Sequence, residues 1–269
     1  MAIYKSVRGL SRGLTVLEIL SEGSQERLQI TEIAERAGLH RTTVKRLLET
    51  LAASGYVWRS TSDKSFHLTH RVRNLGLGCS DTEVLSELAA PHLERLRRDA
   101  VWPIDLTVND GDAMYVRETT HRDSPLSFVK ETVNRRLPIL VTASGRAFLA
   151  FCAPRRREEI LAALRKQSGI NGALARSPRA VNTILSRTRT AGFAVNDRRW
   201  ALDTAFRALA VPIQLNSDVV GCLGLLYVRK AMTITEAKSR YLQMMLSAAA
   251  EIQGELRIAL PSSRPTRLA

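Results

Sequence analysis

The chain has 269 residues, 45% apolar and 25% charged, the make-up of a packed globular protein rather than a disordered or collagen-like one. That length fits one large domain or two modest ones. Forty Lys and Arg outweigh 26 Asp and Glu, a formal net charge of +14, so a polyanionic partner is expected, nucleic acid first. The excess is uneven: residues 1–70 carry +3, residues 71–99 are neutral and residues 100–269 carry +11. Most of it therefore lies outside the segment that reads as DNA-binding. The run Arg155-Arg156-Arg157 is expected to be a solvated helix start.

The longest nearly unbroken apolar run, residues 219–228, is far too short for a membrane helix. The first 13 residues are polar and basic, unlike a signal peptide, so a cytoplasmic protein is expected. Cys79, Cys152 and Cys222 form no CxxC pair and no disulfide framework.

Residues 7–20 place Leu10, Leu14, Leu17 and Leu20 at helical spacing. Residues 30–37 read as a short second helix with Thr31 as N-cap and Ile33, Ala34 and Ala37 as its apolar face. Gly38 then permits a turn that a Cβ would disfavour. Residues 41–54 read as a third helix, with Val44, Leu47, Leu48 and Leu51 inward and Arg41, Thr42, Thr43, Lys45, Arg46 and Glu49 nearer solvent. Residues 56–58 and 65–68 are strand-like, with turn chemistry between them. This is the order of a winged helix-turn-helix. At the start of a recognition helix, Arg41 can pair bidentately with guanine, and Thr42 and Thr43 can touch a phosphate or a thymine methyl. Lys45 and Arg46 suit phosphates. Arg59 and Lys64 on the wing, and Lys5, Arg8 and Arg12 ahead of it, suit the DNA backbone.

Residues 70–99 read as a helical linker, with Pro91 marking a kink or break. Beyond it, strands are expected at residues 104–108, 113–118, 126–130 and 207–227, and helices at 142–151, 155–167, 177–191 and 233–258. Asn109-Asp110-Gly111 and Asn216-Ser217-Asp218 read as hairpin turns, so an α+β domain on an antiparallel sheet is expected over residues 100–260, with a disordered tail at 261–269. The winged domain occupies residues 1–69.

No catalytic or metal constellation stands out. His40, His67, His70, His92 and His121 have no HxxxH or HExxH spacing, and no nucleotide-binding glycine loop occurs, so no metal and no cofactor are expected. Ser144 sits in Ala-Ser-Gly rather than a GxSxG elbow. Two other readings stay open: an ester or acyl hydrolase using Ser144, and a non-specific nucleic-acid coater using the excess charge beyond residue 100.

The run from Ile30 to Leu51 followed by Gly55-Tyr56-Val57, and the segment Arg136-Leu-Pro-Ile-Leu-Val-Thr-Ala-Ser-Gly-Arg-Ala-Phe148, strongly resemble the IclR family of bacterial transcription regulators. Gly192 to Asn196, Ala210 to Ile213 and Val220 to Leu225 are similar to its later blocks. Val101-Trp-Pro103, Arg117 to Arg122, Leu126 to Phe128, Asn196 with Trp200, and Ala231-Met-Thr233 look closest to the branch that activates 3-(3-hydroxyphenyl)propionate catabolism.

The resemblance implies a GAF-like effector domain, a homodimer or homotetramer and a palindromic operator in double-stranded DNA, with no enzymatic activity. RNA polymerase is a further implied contact, and no membrane is. It also implies a pocket for a small aromatic carboxylic acid bounded by Leu126, Val129, Gly145, Arg146, Asn196, Ala208, Gly224 and Leu226. The chemistry fits an acid. Ser144 and Gly145 at a helix start offer backbone N–H groups to a carboxylate. Arg146 or Arg198 offers a charge-assisted bond, and Trp200, Phe128 and Leu226 can flank a ring. Ala208 and Gly224, where some members carry polar or sulfur side chains, imply a roomier, more apolar pocket.

Overall fold

The computed structural model describes residues 6–23, 27–76, 80–127, 132–196 and 205–260. The chain divides into two compact units, Met1–Ser80 and Asp81–Ala269.

The first unit holds α1 (Arg8–Glu22), α2 (Ile30–Ala37), α3 (Arg41–Ala53), a two-stranded wing of β1 (Val57–Arg59) and β2 (Phe66–Leu68), and α4 (His70–Leu75). Its core gathers Val16, Ile19, Leu20, Leu28, Ile33, Val44, Leu48, Val57 and Phe66. The leucines at helical spacing in α1 are not all part of it. The helix buries Val16, Ile19 and Leu20, while Val7, Leu10 and Leu14 stand 51–70% exposed along another side. The N-cap of α2 is Gln29 rather than Thr31, and its backbone N–H is taken by the Glu32 carboxylate at 2.6 Å. Gly38 closes α2 at φ +61°, the left-handed conformation that favours glycine.

The second unit opens with α5 (Asp81–Asp99), a helix that runs through Pro91, where a kink or break was expected, without a break. A six-stranded, wholly antiparallel sheet follows, in the order β5-β4-β3-β8-β7-β6. Its strands are β3 (Ile104–Asp110), β4 (Ala113–Thr119), β5 (Arg136–Pro138), β6 (Ala194–Asn196), β7 (Phe206–Leu215) and β8 (Asp218–Val228). The remaining helices are α6 (Ala143–Phe151), α7 (Pro154–Arg165), α8 (Gly169–Ala175), α9 (Pro178–Ala191), α10 (Ile234–Ala237) and, after one π-helical turn, α11 (Gln243–Ala259). Residues 126–127 are not strand, and the rest of that expected strand lies outside the described residues, as does the tail beyond residue 260.

Alternation along the strands gives the sheet two covered faces. Leu209, Val211, Leu223, Leu225 and Tyr227 pack with Leu85, Leu93, Met245 and Ile252 of α5 and α11. Ala194, Ala210 and Cys222 pack on the other side with Ala147, Phe148 and Leu149 of α6. The arginine run is only partly solvated. Arg155 is exposed beside Glu159, but Arg156 donates to Asn109 Oδ1, and Arg157 donates to the carbonyls of Leu149, Ala150 and Cys152 at the end of α6.

Candidate functional site

Two surfaces matter, one in each unit. In the first, α3 buries Val44 and Leu48 completely and half-buries Leu47 and Leu51. That inward packing turns Arg41, Thr42, Lys45, Arg46 and Glu49 to solvent, with Thr43 half-buried. His40 caps the helix: its Nδ1 accepts from the Thr42 backbone N–H at 3.4 Å and lies 2.8 Å from the Thr42 hydroxyl. Lys45 lies 3.8 Å from Glu49, both well exposed, a pair too loose to hold the ammonium away from an incoming phosphate. Arg8 and Arg12 are exposed on α1; Lys5 lies outside the described residues.

The wing is held from within. Lys64 adopts φ +63°, its carbonyl accepts from Arg59 Nε, and its ammonium donates to Thr61 O at 3.0 Å. The Arg59 guanidinium lies over the Phe66 ring. Asp63 binds the Ser65 hydroxyl at 2.5 Å and the Ser65 N–H at 3.1 Å. The Ser65 hydroxyl, then that of Ser60, the Ser65 N–H and Arg27, hold its carboxyl well below the usual range.

In the second unit the site-bearing face of the sheet is the one under α6. Asn196, Ala208 and Leu226 lie in one cross-strand row. Ala194, Ala210, Gly224, Asp105 and Thr119 form the next. Above them, Thr142 rather than Ser144 caps α6, and its hydroxyl takes the Gly145 N–H at 3.3 Å. The Gly145 amide is thereby used. Those of Ala143 and Ser144 precede the first intrahelical bond and keep the anion-binding character of a helix start.

The glycines have packing reasons. A Cβ on Gly145 would sit 2.0 Å from Ile139 O, and one on Gly224 would sit 2.8 Å from Ser144 Oγ, so the space above Gly224 is filled by that hydroxyl. The Arg146 guanidinium does not reach over the sheet: Nε donates to Leu140 O at 3.0 Å and Nη1 to Val195 O at 2.9 Å. Leu126 is 38% exposed. Phe128, Val129, Arg198 and Trp200 lie outside the described residues.

Two polar features mark this face, the expected Asn196 and a cluster around Asp105 that sequence reasoning missed. The side-chain oxygen of Asn196, a residue 8% exposed, is buried without a hydrogen-bond partner among the described residues. At the other side, Thr119 Oγ1 donates to Asp105 Oδ1 at 2.6 Å, and Thr132 donates to Thr119. Buried His121 has Nε2 3.6 Å from Asp105 Oδ2 and Nδ1 2.6 Å from Ser127 Oγ. The available signal was a lone aspartate inside Ile104-Asp105-Leu106, a strand otherwise apolar at its start.

A separate open groove of about 960 Å³ runs between α6, α8, α9, β6 and the α10 turn, with Ile170, Leu174, Ile184 and Phe193 in its walls. Arg146, Arg187 and Lys238 add charge; among the described effector residues, only Arg146 lines it.

Catalytic and metal roles find little support. Burial pushes the Cys152 thiol up to about 11 and raises that of Cys222 further, so both stay protonated and inert. Cys79 lies outside the described residues. His92 sits buried between Glu255 at 3.0 Å and Glu251 at 3.5 Å, and His67 stacks on Trp58. Among the described residues, no three His, Cys, Asp or Glu side chains are grouped to hold a metal ion, and no helix is long and apolar enough to cross a membrane.

Comparison with known proteins agrees with this division. Residues 9–60 match the IclR helix-turn-helix domain and residues 80–253 the bacterial transcriptional regulator IclR C-terminal domain. The Pca regulon regulatory protein of Pseudomonas putida is 27% identical over 249 residues, 92% of this chain and 83% of that one. The p-hydroxybenzoate hydroxylase transcriptional activator of Acinetobacter baylyi is 37% identical over 90 residues, 34% of this chain and 32% of that one. The fold is similar to that of an IclR homologue of Microbacterium hydrocarbonoxydans complexed with 4-hydroxybenzoate (TM-score 0.55, 23% identity, 93% of this chain and 99% of that one). It is likewise similar to the IclR of Thermotoga maritima (TM-score 0.54, 20% identity, 93% and 99%). With both of its domains matched in order along one chain, this protein belongs to the IclR family of DNA-binding transcriptional regulators.

Proposed function

We propose that the protein controls an aromatic catabolic operon, as an activator, in response to a small aromatic carboxylic acid such as 3-(3-hydroxyphenyl)propionate. The acid binds over the sheet face that carries Asn196, Ala208, Gly224 and Leu226, with the start of α6 at Ser144 and Gly145 above it. Leu126, Val129, Arg198 and Trp200 are assigned to the same ligand by the family resemblance, and Arg146 acts from the groove side. The observation that carries this reading is the unpartnered oxygen of Asn196: a buried acceptor without a partner costs about 1–3 kcal/mol unless a donor, such as a water held between it and the ligand, supplies one. The relatives named for the Pca regulon and for p-hydroxybenzoate hydroxylase, and the homologue holding 4-hydroxybenzoate, support the ligand class.

On DNA, Arg41, Thr42 and Thr43 read base edges of a palindromic operator, and Lys45, Arg46, Arg59, Lys64, Arg8 and Arg12 hold phosphates. The exposed apolar stripe of Val7, Leu10 and Leu14 supports a homodimer or homotetramer. Ligand preference for one arrangement passes through residues 70–99 to the paired winged domains, a coupling of about 1–3 kcal/mol. Contact with RNA polymerase is the second route to activation. A panel of hydroxylated phenylpropionates, cinnamates and benzoates tests the sensor, because a ligand selective for the native state must raise its melting temperature. An operator footprint unchanged by every acid that binds would overturn it.

The open groove favours a second location for the acid, with Lys238 and Arg187 as its cations. Asn196→Ala abolishes the thermal shift under the first location, and Lys238→Ala under the second.

A further inference from the structure

We infer that Asp105 receives a hydroxyl of the effector and so restricts the ligands to hydroxylated aromatic acids; this rests on the reading of the α6-covered sheet face as the acid's site.

The register places it there. Asp105 on β3 pairs with Gly224 on β8 and with Thr119 on β4. Residues directly opposite one another in an antiparallel pair project to the same face. Gly224 faces Ser144 at the start of α6. The Asp105 carboxylate therefore stands on the site-bearing face, one strand spacing, ~4.8 Å, from the glycine beneath Ser144.

Its hydrogen-bonding capacity is only partly used. A carboxylate has about four lone-pair sites and donates nothing. Oδ1 takes the Thr119 hydroxyl at 2.6 Å. Oδ2 has His121 Nε2 at 3.6 Å, beyond hydrogen-bond length. The Asp105 side chain is 15% exposed and that of His121 3%, so of the two it is the carboxylate that keeps access to a small donor.

The partner must be a donor. A ligand carboxylate beside Asp105 would be repelled, whereas a phenolic or alcoholic O–H would satisfy Oδ2. On the same face, Gly224 next to Asp105 is covered by the Ser144 hydroxyl, so the ligand space at Asp105 is bounded on that side by the start of α6. With its hydroxyl on Asp105, the acid's carboxylate lies toward the amides of Ala143 and Ser144 at the start of α6.

The test is calorimetric titration of the full-length protein with 3-(3-hydroxyphenyl)propionate and with 3-phenylpropionate. Wild type is expected to prefer the hydroxylated acid about tenfold to hundredfold, the worth of one hydrogen bond to a charged group. In Asp105→Ala the preference is expected to fall below about threefold, with affinity for 3-phenylpropionate retained. Asp105→Asn, which keeps the shape and the Thr119 bond, serves if the alanine variant does not fold and is expected to show an intermediate ratio. Both acids binding wild type with a ratio that neither substitution changes would overturn the inference and leave the site standing. Neither acid binding wild type would remove the site reading, and the inference with it.

Discussion

Gly145 packs directly onto the backbone of Ile139: a Cβ at position 145 would meet Ile139 O at 2.0 Å, Cα at 2.5 Å and C at 2.6 Å. All three are backbone atoms, so no rotamer change relieves the overlap. Gly145→Ala must push α6 off the turn that precedes it. The expected cost is about 3 kcal/mol, the upper part of the range for overpacking a core. A urea titration of Gly145→Ala against wild type checks it. Because the start of α6 also covers the proposed acid site, the displacement should also reduce the stabilisation that an aromatic acid gives.

Arg157 closes the other end of α6 through the carbonyls of Leu149, Ala150 and Cys152, and Arg189 adds a bond to Ala150 O. These carbonyls are the acceptors left over at a helix C-terminus, where a cation also meets the negative end of the dipole. Arg157→Ala is expected to cost about 1–3 kcal/mol in thermal or chemical unfolding. Arg155→Ala, beside Glu159 in solvent, should stay within about 0.5 kcal/mol. Neither should alter operator affinity in a mobility-shift titration at fixed salt.

Burial chiefly sets the behaviour of Cys152 and Cys222, since no cation lowers either thiol enough to offset desolvation. At neutral pH the reactive thiolate is a minute fraction. In a Cys79→Ser background, the native protein is expected to show no fast reaction with an aromatic disulfide reagent near pH 8. Two equivalents should react after addition of guanidinium. A rapid equivalent in the native state would show that the thiols open to solvent.

The winged unit was legible because its apolar spacing is local. Val44 and Leu48 recur one turn apart, Gly38 marks the bend, and the inward face of α3 dictates the outward one. The face of α1 was not. Leu10, Leu14, Leu17 and Leu20 obey the helical period as well as Val16, Ile19 and Leu20 do, and only packing decides which set is covered. In the second unit the long strands and helices declared themselves. The three-residue strands β5 and β6 and the glycine-bearing helix α8 are too short, or too weak in propensity, to do so. Of the site, the α6 start was readable as a motif. The place of Asp105 beside Gly224 was not, because strand register joins positions far apart in sequence and leaves no local mark.

The Asp63 carboxyl is held well below its ordinary value chiefly by the Ser65 hydroxyl, with Ser60, the Ser65 N–H and Arg27 assisting. A depressed folded value means a contribution fully present above the ordinary carboxyl range and lost as pH falls through it toward the folded value. The wing turn should therefore loosen on acidification below about pH 4. Amide exchange at Ser65, whose N–H donates to Asp63, reads this directly. In Asp63→Asn the acid dependence should vanish, with DNA affinity at neutral pH nearly unchanged.

Arg41 opens α3 with its side chain in solvent and, unlike Lys45, has no ion-pair partner within 4.0 Å among the described residues. A bidentate pair with guanine is worth about 1–3 kcal/mol of discrimination, while a phosphate contact mainly adds to the salt dependence. Arg41→Ala is therefore expected to weaken operator binding about tenfold or more and to narrow the gap between operator and unrelated DNA. Arg46→Ala should weaken both DNAs alike and reduce the slope of log affinity against log salt by about one. Titrations over a range of salt concentrations on both DNAs separate the two outcomes. Equal losses on operator and unrelated DNA for Arg41→Ala would assign it to the phosphates and leave base reading to Thr42 and Thr43.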